Sequence, residues 1–559
     1  MKPLHGRSAL LAVLCSILTL SVANFSHVVE AADASGQNAQ PDVPLYDNLG
    51  SLHHAISTTN SRAQKYFDQG LRLTYGFNHA EAIRAFTEAA RLDPHCAICY
   101  WGVAFDYGPN INAPMDADSG VKAYAAVQQA LALMPYASAE EQDYIHAVAT
   151  RYVPKPEADR AAPDRAYADA MGKLAAKYPD DLDAQTFYAE SLMDLRPWNY
   201  WTHDGKPQPG TPIILTALEG VIQRNPNHPG ACHYYIHAVE AAVPEKAVPC
   251  ADRLPSLMPG AGHLVHMPAH VYIRVGRWAD AIKANQHAVH TDETYIMDQH
   301  PAAGIYPKAY YPHNIHFLAF AATMAGNSAM SLDSAHKLAA EVDPGMAAQI
   351  GLLQGMMAAP LHAEIRFGRW QEILAEQSPP ATLHYPTGTW HYARGVAYAM
   401  QGNLNKADAE LAELERMAAD PALTTMMVDS GNTAAPMLQI ASRVLAGEIA
   451  AKRGATDAAV SYFTQAMEIE DQLAYVEPPS SPIPVRQQFG AFLMANGRAS
   501  DAEAAYRADL TRFPENGWSL YGLAASLRAQ GKAAEADAVQ ARFKRAWTLS
   551  DVTLTASVF

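Results

Sequence analysis

The stretch Ala63-Gln-Lys-Tyr66-Phe-Asp-Gln-Gly70-Leu-Arg-Leu73-Thr-Tyr-Gly-Phe-Asn-His-Ala-Glu-Ala82-Ile-Arg-Ala-Phe86-Thr-Glu-Ala89-Ala-Arg-Leu-Asp-Pro94 decides the fold of this chain. Ala63, Tyr66, Gly70 and Leu73 recur at intervals of three and four, as do Ala82, Phe86 and Ala89, which is the period of one helix face. Gly70 and Ala82 are small enough to let two antiparallel helices approach closely. Tyr66 and Phe86 fill the space beside them. Pro94 stops the second helix and starts the next hairpin, because proline lacks the amide hydrogen and clashes with the preceding turn.

The unit recurs. Tyr100, Tyr107, Ala123, Val127, Ala130 and Pro135 form a second copy with a longer turn. Gly447, Ala459, Phe463 and Ala466 form a late one, and Gly490, Ala502, Tyr506 and Pro514 another, followed by Trp518, Gly522 and Ala534. Turn glycines punctuate the chain at Gly276, Gly326, Gly368, Gly402, Gly454, Gly497 and Gly531; Gly368 to Gly402 and Gly497 to Gly531 are each 34 residues, and the other gaps run from 42 to 52. These spacings resemble the tetratricopeptide repeat from Ala63 to about Ala546. The resemblance implies an all-α solenoid of about ten helical hairpins wound as a right-handed superhelix. More narrowly, Cys96-Ala-Ile-Cys99-Tyr-Trp-Gly102, Gly108-Pro-Asn-Ile-Asn112-Ala-Pro114, His233-Tyr-Tyr-Ile-His237-Ala-Val-Glu240, Gly262-His-Leu-Val-His266-Met-Pro-Ala-His270 and Asn516-Gly-Trp518-Ser-Leu-Tyr-Gly522 are similar to segments of exported bacterial repeat proteins. That resemblance implies fold and location and assigns no activity.

The rest of the chain fits export. A length of 559 residues exceeds one compact core and calls for several domains or an array. Lys2 and Arg7 precede an uncharged run from Ser8 to Ser26, and Val29-Glu30-Ala31 offers a cleavage site, so residues 1–31 read as a signal peptide. The alternative is an uncleaved anchor, for which the apolar run is short of the roughly 20 residues a span needs. Cys15 lacks the small preceding residue of a lipobox. Residues 32–60 read as a flexible linker, 61–546 as the repeat array and 547–559 as a tail. No later stretch is apolar enough to cross a membrane. This places the protein in the periplasm or outside the cell. The formal charge of −16 disfavours nucleic acid as a partner. Four cysteines follow the signal, Cys96, Cys99, Cys232 and Cys250, and in an oxidising compartment they allow two disulfides with three pairings. Cys96 and Cys99 share a helix face, as a local disulfide or as packed thiols. Cys232 and Cys250 lie on the two helices of one hairpin, where they bridge or pack as small core residues.

Eleven of the 23 histidines fall between His228 and His316. His233 and His237 stand four apart, His263, His266 and His270 are spaced three and four, and His313 and His316 stand three apart. Each set shares one face of a helix. In the hairpin that turns at Gly276, Ala269 and Tyr272 fall on the packing side, which leaves His263, His266 and His270 toward the concave groove. His233 and His237, with Glu240 one turn on, take the equivalent places one hairpin earlier, and His313 and His316 one hairpin later. Adjacent first helices lie about 10 Å apart, so imidazoles on them converge. The groove of an exported scaffold would then bind a peptide, a protein partner or a small ligand. The competing reading is a transition-metal protein or metal-dependent enzyme in which His233, His237, His266 and His270 ligate zinc or copper. Glu240 would be a ligand, an orienting group or a base. Tyr310, Tyr311, Asp292 and Glu293 are further lining candidates. For any single histidine, a hydrogen bond to a structural neighbour is the plain alternative.

Other segments are less specific. Tyr234 stands where a zincin helix requires glutamate, Tyr100 where a c-type haem site requires histidine, and no phosphate loop, dinucleotide fingerprint or nucleophile elbow occurs. No reaction is therefore assigned. Asn110 and Asn112 either turn inward to close one edge of the groove or belong to an ordinary turn. Trp198, Tyr200 and Trp201, with His203, line a surface or plug the array. Gly304 to Pro312 forms a lid or a long connection.

Overall fold

The computed structural model describes residues 43–155, 159–301 and 304–559. The proposed signal peptide and Cys15 lie outside them. The chain is an all-α array of tetratricopeptide-type hairpins; among the described residues there is no β-strand, only three isolated bridges. None of their helices is long and apolar enough to cross a membrane. The array divides into two compact units, one taking the chain up to Val271 together with His287–Tyr311, the other Tyr272–Gln286 together with Pro312–Phe559.

In the first unit the opening hairpin is Ser61–Tyr75 and His79–Leu92. A Cβ on Gly70 would overlap the ring of Phe86, and so would one on Gly102 in the next helix, Ala97–Asp106. One buried aromatic therefore fills two glycine notches, each sixteen residues away. The second unit repeats the device with Gly490, Tyr506 and Gly522. Further hairpins of the first unit are Ala139–Ala149 with Ala161–Lys177, Leu182–Asp194 with Thr211–Arg224, and Pro229–Val239 with Val248–Leu257. Disulfides join Cys96 to Cys99 and Cys232 to Cys250. The second bridge ties the two helices of the last hairpin.

The second unit runs from the hairpin Tyr311–Met324 and Ser328–Ala340 to Gly517–Ala529 and Ala533–Ala546. Asn516 caps Gly517–Ala529 by accepting from the amide of Ser519, and donates to Asp509 at 3.0 Å. The indole of Trp518, fully buried, donates to the Thr323 carbonyl at 2.9 Å. Residues 547–559, read from sequence as a tail, are held by this unit. Trp547 donates to the Val552 carbonyl at 3.1 Å, the Ser557 hydroxyl lies 2.6 Å from that of Tyr506, and the ring of Phe559 packs on Trp518.

Residues 43–60 correct the flexible-linker expectation. Their polar composition does not signal order, yet they lie along the first unit with their polar groups satisfied. Tyr46 N–H donates to Gln69 at 2.8 Å, Tyr66 donates to the Val43 carbonyl at 2.7 Å, and Leu49 is buried. His54 Nδ1 lies 2.9 Å from Asp183, whose other oxygen accepts from Tyr75 at 2.6 Å and sits 3.1 Å from His228 Nε2. Burial alone would lower the His54 imidazole. The hydrogen bond and charge of Asp183 outweigh burial and raise it to about 9. Burial likewise works against the Asp183 carboxylate, but His228 and His54 hold it well below the usual carboxylate range.

The pair has a defined pH signature. A raised imidazole contributes its stability fully below its unfolded value near 6.5 and loses it as pH rises through about 9. Urea midpoints measured from pH 6 to 9.5 should fall more steeply for the wild type than for His54→Gln, and parallel curves would contradict the pairing.

Candidate metal centre

The histidines of the first unit come from three pieces of chain. The helix Pro229–Val239 carries His233 and His237, with Glu240 at its C-cap. The short helix Gly262–His266 carries His263 and His266 and ends at Met267. Pro268 then starts the helix Pro268–Arg274, which brings His270. The proline break fits the rule that a ring nitrogen cannot donate to the turn before it. Met267 nevertheless keeps helical dihedrals, so the three- and four-residue spacing still places these side chains together.

All six side chains are enclosed, at 0–2% exposure. This differs from the open groove expected from the repeat pattern. The rings meet in the interior, and neighbouring aromatics cover them. His233 Nδ1 lies 2.7 Å from the Tyr75 carbonyl oxygen. A carbonyl only accepts, so Nδ1 carries the hydrogen and Nε2 of the neutral ring has a bare lone pair. His237 Nδ1 lies 3.3 Å from Glu240 Oε1, and His270 Nδ1 2.7 Å from Oε2 of the same carboxyl group. The first of these is a hydrogen bond and the second a close approach, so Glu240 lies against the Nδ1 edges of both rings.

The Nε2 atoms face one another. Those of His233 and His263 are 3.1 Å apart, and those of His266 and His270 2.9 Å apart. Ligand atoms of His233, His237 and His263 all lie within 4.8 Å of one another, as do those of His237, Glu240 and His270. His237 Nε2 is buried without a hydrogen-bond partner. A buried polar atom left in that state costs about 1–3 kcal/mol. Burial first, and the neighbouring His237 second, hold His233 well below the ordinary imidazole range despite its bond to Tyr75; burial and His270 do the same for His237. These two rings are therefore neutral at pH 7, the form that ligates metals.

The quartet assigned from sequence, His233, His237, His266 and His270, is joined by His263, whose ring nitrogen completes the pair with His233. His313 and His316 stand in the second unit, on the helix Tyr311–Met324. There the His313 ring packs on Phe317 at 5.0 Å, and burial pushes His316 down to about 4. Tyr310 reaches the cluster, its ring 4.6 Å from His263. Asp292 accepts from Tyr306 at 2.8 Å, while that hydroxyl accepts from the His263 amide at 3.2 Å. Tyr311 instead pairs with Glu293 at 3.1 Å. Trp198 stands edge-on to His237 at 5.0 Å, and Trp201 donates to the Ala238 carbonyl at 2.7 Å, so this loop is a plug over the helix Pro229–Val239. Asn110 accepts from the amides of Asn112 and Ala113 at 2.8 and 3.0 Å, which is the ordinary turn of the two readings. A cavity of about 270 Å³ lies on the far side of Tyr306, lined also by Tyr46, Asn78, Ala261 and Tyr295.

Phe77 is a site residue that the sequence reading passed over. Its φ is +55°, a left-handed conformation in which side chains are strained. In the turns at Gly276, Gly326 and Gly368 the corresponding place, two residues before the second helix, is taken by glycine at positive φ. Phe77 takes it here and lays its ring 4.5 Å from that of His233 and 5.4 Å from that of His263. The missing turn glycine in the otherwise best-matched repeat was the available signal.

No family model and no curated protein matches the chain. Several solved structures do align with it. The human IFIT1 dimer with m7Gppp-AAAA aligns over 95% of this chain and 94% of its own at 12% identity and a TM-score of 0.31. The P58(IPK) TPR domain aligns over 84% and 99% at 11% identity and 0.24. Ypp1 aligns over 94% and 85% at 9% identity and 0.42. Scores of this size carry nothing about ligand or partner.

Phe77 supports an inverted mutational order. Removing a buried phenylalanine ring costs about 3–5 kcal/mol, and glycine relieves roughly 1–2 kcal/mol of left-handed strain that alanine retains. Urea denaturation should therefore find Phe77→Gly less destabilised than Phe77→Ala, the reverse of the order at ordinary buried positions.

Proposed function

We propose that this is an exported transition-metal-binding protein, in which a helical-repeat scaffold encloses a histidine-rich centre for zinc or copper. One observation carries the reading. His233 and His237 set Nδ1 against the Tyr75 carbonyl and Glu240, and a ligand nitrogen of each lies within 4.8 Å of one on His263. Metal-bound histidines characteristically donate their other ring nitrogen to a carbonyl or carboxylate in this way. Imidazole-rich sets suit zinc and copper, and hard cations such as magnesium and calcium prefer oxygen.

Peptide capture by the same histidines fits less well. A peptide in an open groove would not reach side chains that are at most 2% exposed, whereas an ion would. Export is supported by the two cystine bridges, which persist in oxidising compartments, and by the charge and hydropathy pattern of residues 1–31. The reading assigns binding and leaves any reaction to be found.

Elemental analysis of tag-free protein, dialysed against a weak chelator, should show a stoichiometric transition metal. His237→Gln should remove most of it, and Glu240→Gln should weaken binding about 10–100-fold, the usual effect of losing an orienting partner. Protein that is metal-free on isolation and takes up neither added zinc nor added copper would overturn the proposal.

A further inference from the structure

We infer that the centre holds two metal ions, one on His233, His237 and His263 and the other on His266 and His270. This rests on the metal-binding reading above and adds nuclearity to it. Two nitrogens bound to one ion at roughly 2.05 Å, at the tetrahedral angle, lie about 3.4 Å apart. The structure contains two such pairs, His233–His263 at 3.1 Å and His266–His270 at 2.9 Å. Each needs to open by only a few tenths of an ångström to accept an ion.

The pairs are distinct. Ring centroids of His263 and His266, the nearest members along the chain, are 5.9 Å apart. His237 stands between them, 5.0 Å from the His233 ring and 5.4 Å from the His270 ring. Its single free Nε2 serves one ion, and the set whose ligand atoms lie within 4.8 Å is His233, His237 and His263. The first ion therefore has three imidazoles from this unit. The second pair, His266 and His270, is left for another ion. Five imidazoles also exceed the four ligands that zinc ordinarily takes.

A metal titration with readout of bound equivalents tests this. Cobalt(II), whose visible spectrum reports coordination, is the probe, and zinc competition checks it. Wild-type protein should bind two equivalents. His266→Gln and His263→Gln should each retain only one. Far-ultraviolet circular dichroism keeps folding failure separate from ligand loss. If His263→Gln does not fold, His233→Gln takes its place. With copper(II), the wild type should show fewer than two spins by electron paramagnetic resonance, through coupling of neighbouring ions, and His266→Gln one full spin. A single equivalent in the wild type, unchanged in His266→Gln, would overturn the two-ion inference and leave metal binding intact. No equivalents at all would remove both.

Discussion

The first unit is governed by the cost of taking six polar side chains out of water in one place. Each neutral imidazole brings one donor and one acceptor, and burying either unmatched is costly. His233 and His237 have partners for Nδ1. Tyr75 is the last residue of its helix, so its carbonyl has no partner within that helix and is free to accept from His233. The Nε2 atoms of His233 and His263, and of His266 and His270, meet in pairs about 3 Å apart, and His237 Nε2 is buried without a hydrogen bond.

The scaffold exists at this spot because of close packing. The ring of Phe86 fills the notches of Gly70 and Gly102 and sets the first hairpin against the second. That placement delivers the end of the helix Ser61–Tyr75, and the turn after it, to the histidines of the helix Pro229–Val239. Phe77, just past that helix, then covers the rings, and its strained backbone is tolerated because the surrounding contacts over-determine it. Ion pairing at Asp183 holds the incoming chain at His54 to the same region.

The repeats were legible because a glycine and an aromatic sixteen residues apart can be recognised without knowing the neighbours. The histidine faces were legible for the same reason, since spacings of three and four survive the break at Met267. Partner choice was not. Whether His233 meets His263 or His266 depends on where one short helix ends and another begins, which no periodicity reports. Burial was not legible either. A concave array suggests an open groove, but Trp198, Phe77 and Tyr310 close over this one, the first two from a loop and a turn and the third from the helical segment Tyr306–Tyr310. The order of residues 43–60 escaped composition because their contacts are single hydrogen bonds to distant side chains, such as Tyr46 with Gln69.

The Cys232–Cys250 bridge has a mechanical corollary. Cys232 is the immediate neighbour of His233, so the covalent link anchors the peptide unit from which that imidazole hangs. Closing a loop of this size removes freedom from the unfolded chain worth roughly 3 kcal/mol. A newly made polypeptide with both thiols reduced would carry that imidazole on a looser tether. Oxidation of the thiols and ordering of the histidine cluster are thereby coupled through adjacent residues.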